Sequence, residues 1–434
     1  METNQRLKSI EIIPYAFIML PVAFTGIPIY IYLPEYYHSQ FNVSLASLSI
    51  SLFILRLLDA IFDPLLGYLI DKLNKYRMLM LLIIPLIFIF GFYILCVPIF
   101  SNRLLNLVVG VFLATIGFSF FNIFVNTQGA LWKHSDYDKS KIIAIRESFN
   151  IIGVLLASVL PFLFLNYLSI LRSYQIYSFV FLGLFFTAFI LFIRWYKSHQ
   201  LHRQSSPLVR YTLKAYFRVF DKMGIYLFSA YAFSVLGSAV AGVMFVFYSK
   251  YVLNSTQMTG LYLFLYFLGA IIGIYFVKKL ALKFGIIQVW LVSIVFAIIV
   301  FSGAFFLSEG DVIYFSVISF LSGFCFAAEI ILPNLLLAKW IDEPRRVHLG
   351  NGYYALLSFI GKFSFAIATV ITLPWLELDF NAVTILDKVT LIKVLYCLMP
   401  ILFKLIGVCI LIAWLKWRLT GLSTVNLKQK MEQH

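Results

Sequence analysis

Twelve apolar runs, each of about 20 residues or more, divide the chain and constrain its fold more than any other feature. Runs of this length suit α-helices that cross about 30 Å of hydrocarbon. Because the runs are continuous and do not alternate with polar residues, they exclude a transmembrane β-barrel. With 62% hydrophobic and 12% charged residues, the chain has too little polar surface for a soluble domain. We predict an all-α polytopic membrane protein with twelve transmembrane helices.

The longest polar stretch separates the runs into two sets of six. This stretch is rich in basic residues, and the segment 211–220 within it mixes aromatic and basic residues at the spacing of an amphipathic surface helix. We therefore predict a six-helix N-terminal bundle over 1–196, a basic cytoplasmic linker over 197–223, and a six-helix C-terminal bundle with its tail over 224–434. The runs lie at about 12–33, 45–70, 78–100, 104–132, 142–165, 175–196, 224–250, 257–277, 286–307, 312–338, 351–375 and 393–416.

Basic residues are distributed unevenly between alternate loops. Of the 34 Lys and Arg residues, 25 lie in one set of loops and tails, 5 lie in the other, and 4 lie within runs. Since Lys and Arg accumulate on the cytoplasmic side, this bias predicts cytoplasmic termini and a multi-pass protein of the plasma (inner) membrane. The net charge of +15 therefore implies no nucleic-acid partner.

The second run carries three charged side chains at helical spacing. Arg56, Asp59 and Asp63 share one helix face, since they are three and four residues apart. Ionisable groups inside a span are costly unless paired or hydrated, so each is a candidate functional residue. Two carboxylates on one face favour a cation or a proton between them. A structural ion-pair network with Arg56 is the alternative.

The residues that follow complete a longer motif. The run Arg-x-x-Asp-Ala-x-x-Asp-Pro-x-x-Gly ends at Gly67, and the loop after it carries Asp71, Lys72 and Arg77. Gly-x-x-x-Asp before basic residues resembles the loop signature of the major facilitator superfamily, which implies two six-helix bundles. The longer motif resembles the melibiose-permease-like glycoside-pentoside-hexuronide:cation symporter family. That resemblance implies that Asp59 and Asp63 form the cation site and that the loop residues act in gating.

Two basic residues within later runs extend the resemblance. Lys362, near the middle of the eleventh run, is similar to a family lysine close to the cation and sugar sites. Its depth argues against a lysine that snorkels to the interface, so we predict that it pairs with Asp59 and Asp63. Arg146 resembles an arginine that lines the sugar cavity, and an ion pair with Glu147 is the alternative.

Other polar residues in the runs depart from the family pattern. The first run lacks the acidic residue of the sugar-transporting members, and the fourth has Asn122 and Asn126 where an aspartate is expected. We take both asparagines as candidate cavity residues. Glu329, in the tenth run, is a further candidate that would balance Lys362 or Arg146. For Lys404, in the twelfth run, we predict snorkelling on an outer helix.

Together these features predict a symporter that moves a small solute by alternating access, coupled to Na⁺ or H⁺. A sugar or glycoside is the favoured substrate, and a lysophospholipid or other amphiphile is the alternative, because lipid-transporting relatives share the scaffold. A membrane-embedded enzyme or a non-transporting sensor is a remote alternative, since no HExxH, GxSxG or nucleotide loop is present. We expect no cofactor and no metal beyond Na⁺ at Asp59 and Asp63. The expected partners are the small-molecule substrate and the lipid bilayer, around a monomer.

Overall fold

The computed structural model describes residues 7–26, 29, 33–132, 135–165, 168–200, 220–372, 375 and 385–431. These residues are almost entirely helical, and no strand occurs among them. Short 3₁₀ or π turns adjoin several of the helices. The α-helices are α1 Ser9–Ala16, α2 Met19–Phe24, α3 Leu33–Phe41, α4 Leu45–Lys72, α5 Arg77–Cys96, α6 Arg103–Ala130, α7 Asp136–Leu165, α8 Ile170–Gln200, α9 Lys222–Tyr251, α10 Thr259–Phe284, α11 Ile286–Phe305, α12 Val312–Trp340, α13 Gly350–Thr372, α14 Ile385–Lys393 and α15 Met399–Met431.

Nine helical segments among the described residues are long and apolar enough to cross a membrane. They correspond to the predicted third, fourth and sixth to twelfth spans. The predicted second and fifth spans are the helices α4 and α7. The all-α polytopic class is confirmed, while the count of twelve spans stays a prediction. Most of the linker 197–223 lies outside the described residues, including its proposed amphipathic helix.

The first predicted span is divided into two helices. The chain turns at Phe17 and Ile18, between α1 and α2. Pro21 has no N–H to donate to the carbonyl of Phe17, four residues earlier. That carbonyl instead accepts the N–H of Leu20 at 3.1 Å, which tightens the chain into a 3₁₀-like turn.

Side-chain caps fix where three long helices begin. The hydroxyl of Ser44 accepts the N–H of Ser47 at 3.2 Å ahead of α4. The side chain of Asn102 caps α6, and the carboxylate of Asp221 caps α9 through the N–H of Gly224 at 3.0 Å. Each cap satisfies a backbone donor that the first turn of a helix leaves unpaired. The helix α4 continues through Pro64, so both motif aspartates lie on one helix.

The first compact unit comprises Met1–Val219 and Leu337–Lys362. The second of these segments holds the end of α12 and the first half of α13. A buried lysine, Lys139 at the start of α7, attaches this segment: its Nζ lies 2.8 Å from Asp342 Oδ2 and donates to the carbonyl of Ala338 at 3.0 Å. A charge-assisted contact of this kind inside a desolvated region joins distant parts of the chain.

The second compact unit comprises Phe220–Leu336 and Phe363–His434. An aromatic cluster forms part of its core, where the rings of Tyr248 and Tyr396 stack with their centroids 4.2 Å apart. The ring of Phe315 packs beside Tyr248 at 5.2 Å. Tyr396 lies in a π turn over Val394–Leu398 that joins α14 to α15. Because Pro400, which follows this turn, lacks an N–H, regular helical bonding is interrupted there.

Candidate functional site

The helix α4 brings the two motif aspartates to one buried face. Asp63 is fully buried, and the side chain of Asp59 is 9% exposed. Arg56, one turn before Asp59, has an exposed side chain. The predicted shared face therefore holds for the carboxylates, which lie deeper in the unit than the arginine does.

The helix α13 supplies the positive partner of this carboxylate pair. The Nζ of Lys362 donates to Asp59 Oδ1 and to Asp63 Oδ1, each at 2.8 Å. The side chain of this lysine is 19% exposed. The predicted contact of Lys362 with both aspartates is therefore present. The ammonium is directed at these carboxylates and does not snorkel to the interface.

A serine that the sequence analysis did not select completes the cluster. Ser119, on α6, accepts a hydrogen bond from Lys362 Nζ at 2.7 Å and donates to Asp59 Oδ1 at 3.1 Å. The ammonium therefore has three acceptors for its three N–H groups. A polar residue in the middle of the Phe-rich fourth run was the only available signal. Serines are common enough in spans that this signal identifies no partner.

One carboxylate oxygen in the cluster keeps acceptor capacity. Asp63 Oδ2 is buried and has no hydrogen-bond partner among the described residues. In their charged forms, Asp59, Asp63 and Lys362 carry two negative charges and one positive charge. Since an isolated buried charge is expensive, this arrangement favours one additional monovalent cation or proton. Oxygen ligands are also those that a hard cation such as Na⁺ prefers.

The motif loop contacts the start of α13. Asp71 is buried, and its carboxylate accepts the side-chain amide of Asn351 at 2.7 Å and the N–H of Gly352 at 3.0 Å. A carboxylate at a helix N-terminus is also stabilised by the helix dipole. Gly67 lies where any side chain would collide, because a Cβ there would be 2.4 Å from the Cβ of Ala355. The glycine allows α4 and α13 to approach closely enough for the Asp71 contacts.

The basic residues of the loop differ in their surroundings. Lys72 is exposed, and its Nζ lies over the ring of Tyr68 at 5.5 Å from the centroid. Arg77 begins α5, and its Nε is buried without a hydrogen-bond partner in the described part of the chain. Their proposed role in gating stays a prediction.

Arg146 is fully buried on α7 and is paired with its neighbour. Its NH2 donates to Glu147 Oε1 at 2.5 Å and its Nε donates to the same oxygen at 3.2 Å. The NH1 group has no partner within the described residues. The ion pair with Glu147 is therefore present, and a role in substrate binding stays a prediction.

The two asparagines of α6 contact each other, since Asn126 Nδ2 donates to Asn122 Oδ1 at 2.8 Å.

The second unit contains an ion pair between Lys404 and Glu329, which the sequence did not predict. Lys404 is 1% exposed, and its ammonium contacts Glu329 Oε1 and donates to Ser238 Oγ at 2.9 Å. The hydroxyl of Ser238 in turn donates to Glu329 Oε2 at 2.5 Å. The prediction that Lys404 snorkels from an outer helix is wrong, because its long stem is directed into the unit, alongside Gly237. The predicted counter-ions of Glu329 were also wrong, since Lys404 is its partner.

Comparison with known protein families gives a match over nearly the whole chain. The sequence model of the family described as MFS/sugar transport protein matches residues 14–415. The chain belongs to that family. Its resemblance to the major facilitator superfamily is thereby confirmed, and the melibiose-permease-like subfamily is consistent with it. The protein is a membrane transporter, and its fold is the all-α major facilitator fold.

Solved structures agree with this fold. A bacterial homologue of the iron transporter ferroportin, in an outward-facing state with soaked iron, superposes with a TM-score of 0.68 at 16% identity, covering 93% of this chain and 98% of the other. The same kind of homologue in an outward-facing state gives a TM-score of 0.67 at 14% identity, covering 94% and 100%. At these identities the likeness shows the fold alone. A search of the curated proteins gives no match.

Proposed function

We propose that this family member is a symporter that couples a cation gradient to the uptake of a small solute. The observation that carries the proposal is the position of Lys362 Nζ, at 2.8 Å from both Asp59 and Asp63. A lysine placed between two buried carboxylates occupies the position that a transported cation would take. Lysine and cation then compete for the same oxygens.

Charge balance connects this competition to transport. With Lys362 in place, the three charged groups carry one excess negative charge. One Na⁺ or H⁺ brings the cluster to neutrality, and it also releases the ammonium from at least one carboxylate. Because both events occur on α4 and the first half of α13, cation binding alters a contact within the first unit. Alternating access in transporters with two repeats uses rearrangements of this kind near the middle of the membrane.

The description of the family favours a sugar or glycoside as the substrate. The buried Arg146, whose NH1 has no partner within the described residues, offers a donor for a sugar hydroxyl. The neighbouring amides of Asn122 and Asn126 would add donors and acceptors.

The termini are proposed to be cytoplasmic, on the basis of the bias in Lys and Arg residues.

The test is uptake into proteoliposomes that contain the purified protein. Labelled sugars, glycosides and lysophospholipids are offered in turn, under an inward Na⁺ gradient, an inward H⁺ gradient, or neither. We expect one gradient to concentrate a sugar or glycoside above its equilibrium level. If only lysophospholipids were concentrated, the substrate would be an amphiphile and not a sugar or glycoside. Equal uptake with and without the two gradients would overturn cation coupling.

A further inference from the structure

An apolar groove runs along the outside of the first unit, between α5 and α8. It has a volume of about 320 Å³ and is lined by Met78 to Ile89 on α5 and by Phe185 to Lys197 on α8. The rings of Phe88 and Phe185, with centroids 5.4 Å apart, pack the two helices together beside it. Several lining side chains, such as Leu82 and Leu86, are more than half exposed. In a membrane protein, such a surface faces acyl chains.

The length of the groove matches the depth of one membrane leaflet. At 1.5 Å per residue, the lining segment of α5 spans about 16 Å and that of α8 spans about 18 Å. The hydrocarbon core of a bilayer is about 30 Å thick, so one leaflet contributes about half of this distance. The helices run antiparallel along the groove, because Phe88, late in the α5 segment, packs against Phe185, at the start of the α8 segment, which leaves Met78 and Lys197 at the other end. One end of the groove therefore lies near an interface and the other near the middle of the membrane.

Positive charge is confined to the interfacial end of this groove. Lys197, in the last turns of α8, is exposed and is the only charged residue that lines the described groove. Arg194 is also exposed and lies three residues earlier, which places it on the same side of the helix. The rest of the lining is apolar. An occupant with one long apolar chain and an anionic head matches this distribution of charge.

We propose that the groove between α5 and α8 binds one acyl chain of an anionic phospholipid, with the lipid phosphate at Lys197. Basic sites between transmembrane helices at headgroup depth attract anionic lipids, and a Lys stem extends readily to that level. A zwitterionic lipid of the same chain length fills the groove equally well but has no net charge to offer the lysine. The groove therefore distinguishes lipids by headgroup charge. This inference does not depend on cation coupling or on the transported solute.

The test counts bound lipids on the purified full-length protein by native mass spectrometry. Phosphatidylglycerol and phosphatidylcholine with the same acyl chains are offered at equal concentrations. We expect the wild type to retain phosphatidylglycerol preferentially, and Lys197→Gln to lower that retention about five-fold. Lys283→Gln, which removes an exposed lysine from α10 outside the groove, is the matched control and should retain the lipid.

A second pair of variants tests whether the groove itself holds the chain. Leu86→Trp fills the groove from an exposed lining position, whereas Val292→Trp adds the same ring at an exposed position on α11. Only Leu86→Trp should reduce the retention of phosphatidylglycerol. The proposal is overturned if the two lipids bind equally to the wild type, if Lys197→Gln matches Lys283→Gln, or if Leu86→Trp matches Val292→Trp.

Discussion

Lys362 and Asp63, 299 positions apart in the sequence, are joined by a hydrogen bond of 2.8 Å. The same two helices are also joined nearer the start of α13. There, Asp71 accepts hydrogen bonds from the amide of Asn351 and the N–H of Gly352. A cation that displaces Lys362 would release its bonds to the aspartates and leave those of Asp71 intact. These two sets of hydrogen bonds can therefore be tested separately by substitution.

Replacement of Lys362 tests its proposed competition with the cation. Lys362→Ala should leave substrate exchange active but remove gradient-driven accumulation. The reason is that the two carboxylates lose the positive partner with which the cation competes. Lys362→Arg should keep partial coupling, since the charge remains while the geometry changes. Counterflow and gradient-driven uptake are measured in the same vesicles. Accumulation by Lys362→Ala at the wild-type level would show that the lysine has only a structural role.

The aspartates are tested by neutral replacements of similar shape. Asp59→Asn and Asp63→Asn should each abolish cation-driven accumulation, because an amide offers one neutral acceptor in place of a carboxylate. Glu309→Gln is the matched control, since Glu309 is exposed and accepts a hydrogen bond from Asn254 outside the cluster. Uptake is compared at equal amounts of inserted protein. Normal accumulation by both aspartate variants would rule out the cation site.

The close approach of α4 and α13 predicts a stability difference between two glycine substitutions. Gly67→Ala should destabilise the protein by about 1–3 kcal/mol, since its Cβ would overlap the Cβ of Ala355. Gly183→Ala, on α8, meets no atom within 4 Å and should leave the protein as stable or more so. Thermal unfolding in detergent gives both values. Equal midpoints for the two variants would contradict the tight contact at Gly67.

The ion pair in the second unit predicts strongly non-additive effects. Glu329→Gln or Lys404→Met alone should cost about 3–5 kcal/mol, because each leaves one buried charge uncompensated. The double variant should recover most of that loss, since both charges are then removed. Thermal stability of the four proteins supplies the double-mutant cycle. Additive losses would show that the two side chains do not interact.

The charge bias between loops predicts the orientation of the chain. A reporter fused after His434 and another inserted within 203–210 should both report the cytoplasm. A reporter inserted at Asn254, between α9 and α10, serves as the control and should report the opposite side. A non-cytoplasmic signal from either of the first two fusions would require an odd number of spans or a misplaced span.

Periodicity and depth were enough to predict part of the site. The spacing of Asp59 and Asp63 places them on one helix face in any fold, because i and i+4 positions always adjoin. The depth of Lys362 in its run implied a buried partner, since the lysine stem is too short to reach the interface. Both inferences depend on properties of a single helix, which the sequence determines directly.

Contacts between helices do not follow from the properties of a single helix. The partner of Lys404 is Glu329, 75 positions away, and only the packing of α12 against α15 within the second unit brings the two together. A single lysine in an apolar run gives no sign of whether its face meets lipid or another helix. Ser119 and Asn351 were missed for the same reason. The sequence also did not predict the break between α1 and α2, because Pro within a transmembrane helix is often tolerated.

The π turn at Val394–Leu398 determines which way the rest of the last helix faces. Such a turn holds one more residue than an α-helical turn, and one residue rotates all later side chains by about 100° around the helix axis. Lys404 comes six residues after the turn and is directed at Glu329. Because the turn takes up the extra residue, Lys404 keeps the side that faces Glu329, whereas the same residues wound as a regular α-helix would place it about 100° away. The extra residue in the turn thus determines which side of α15 faces the interior of the unit.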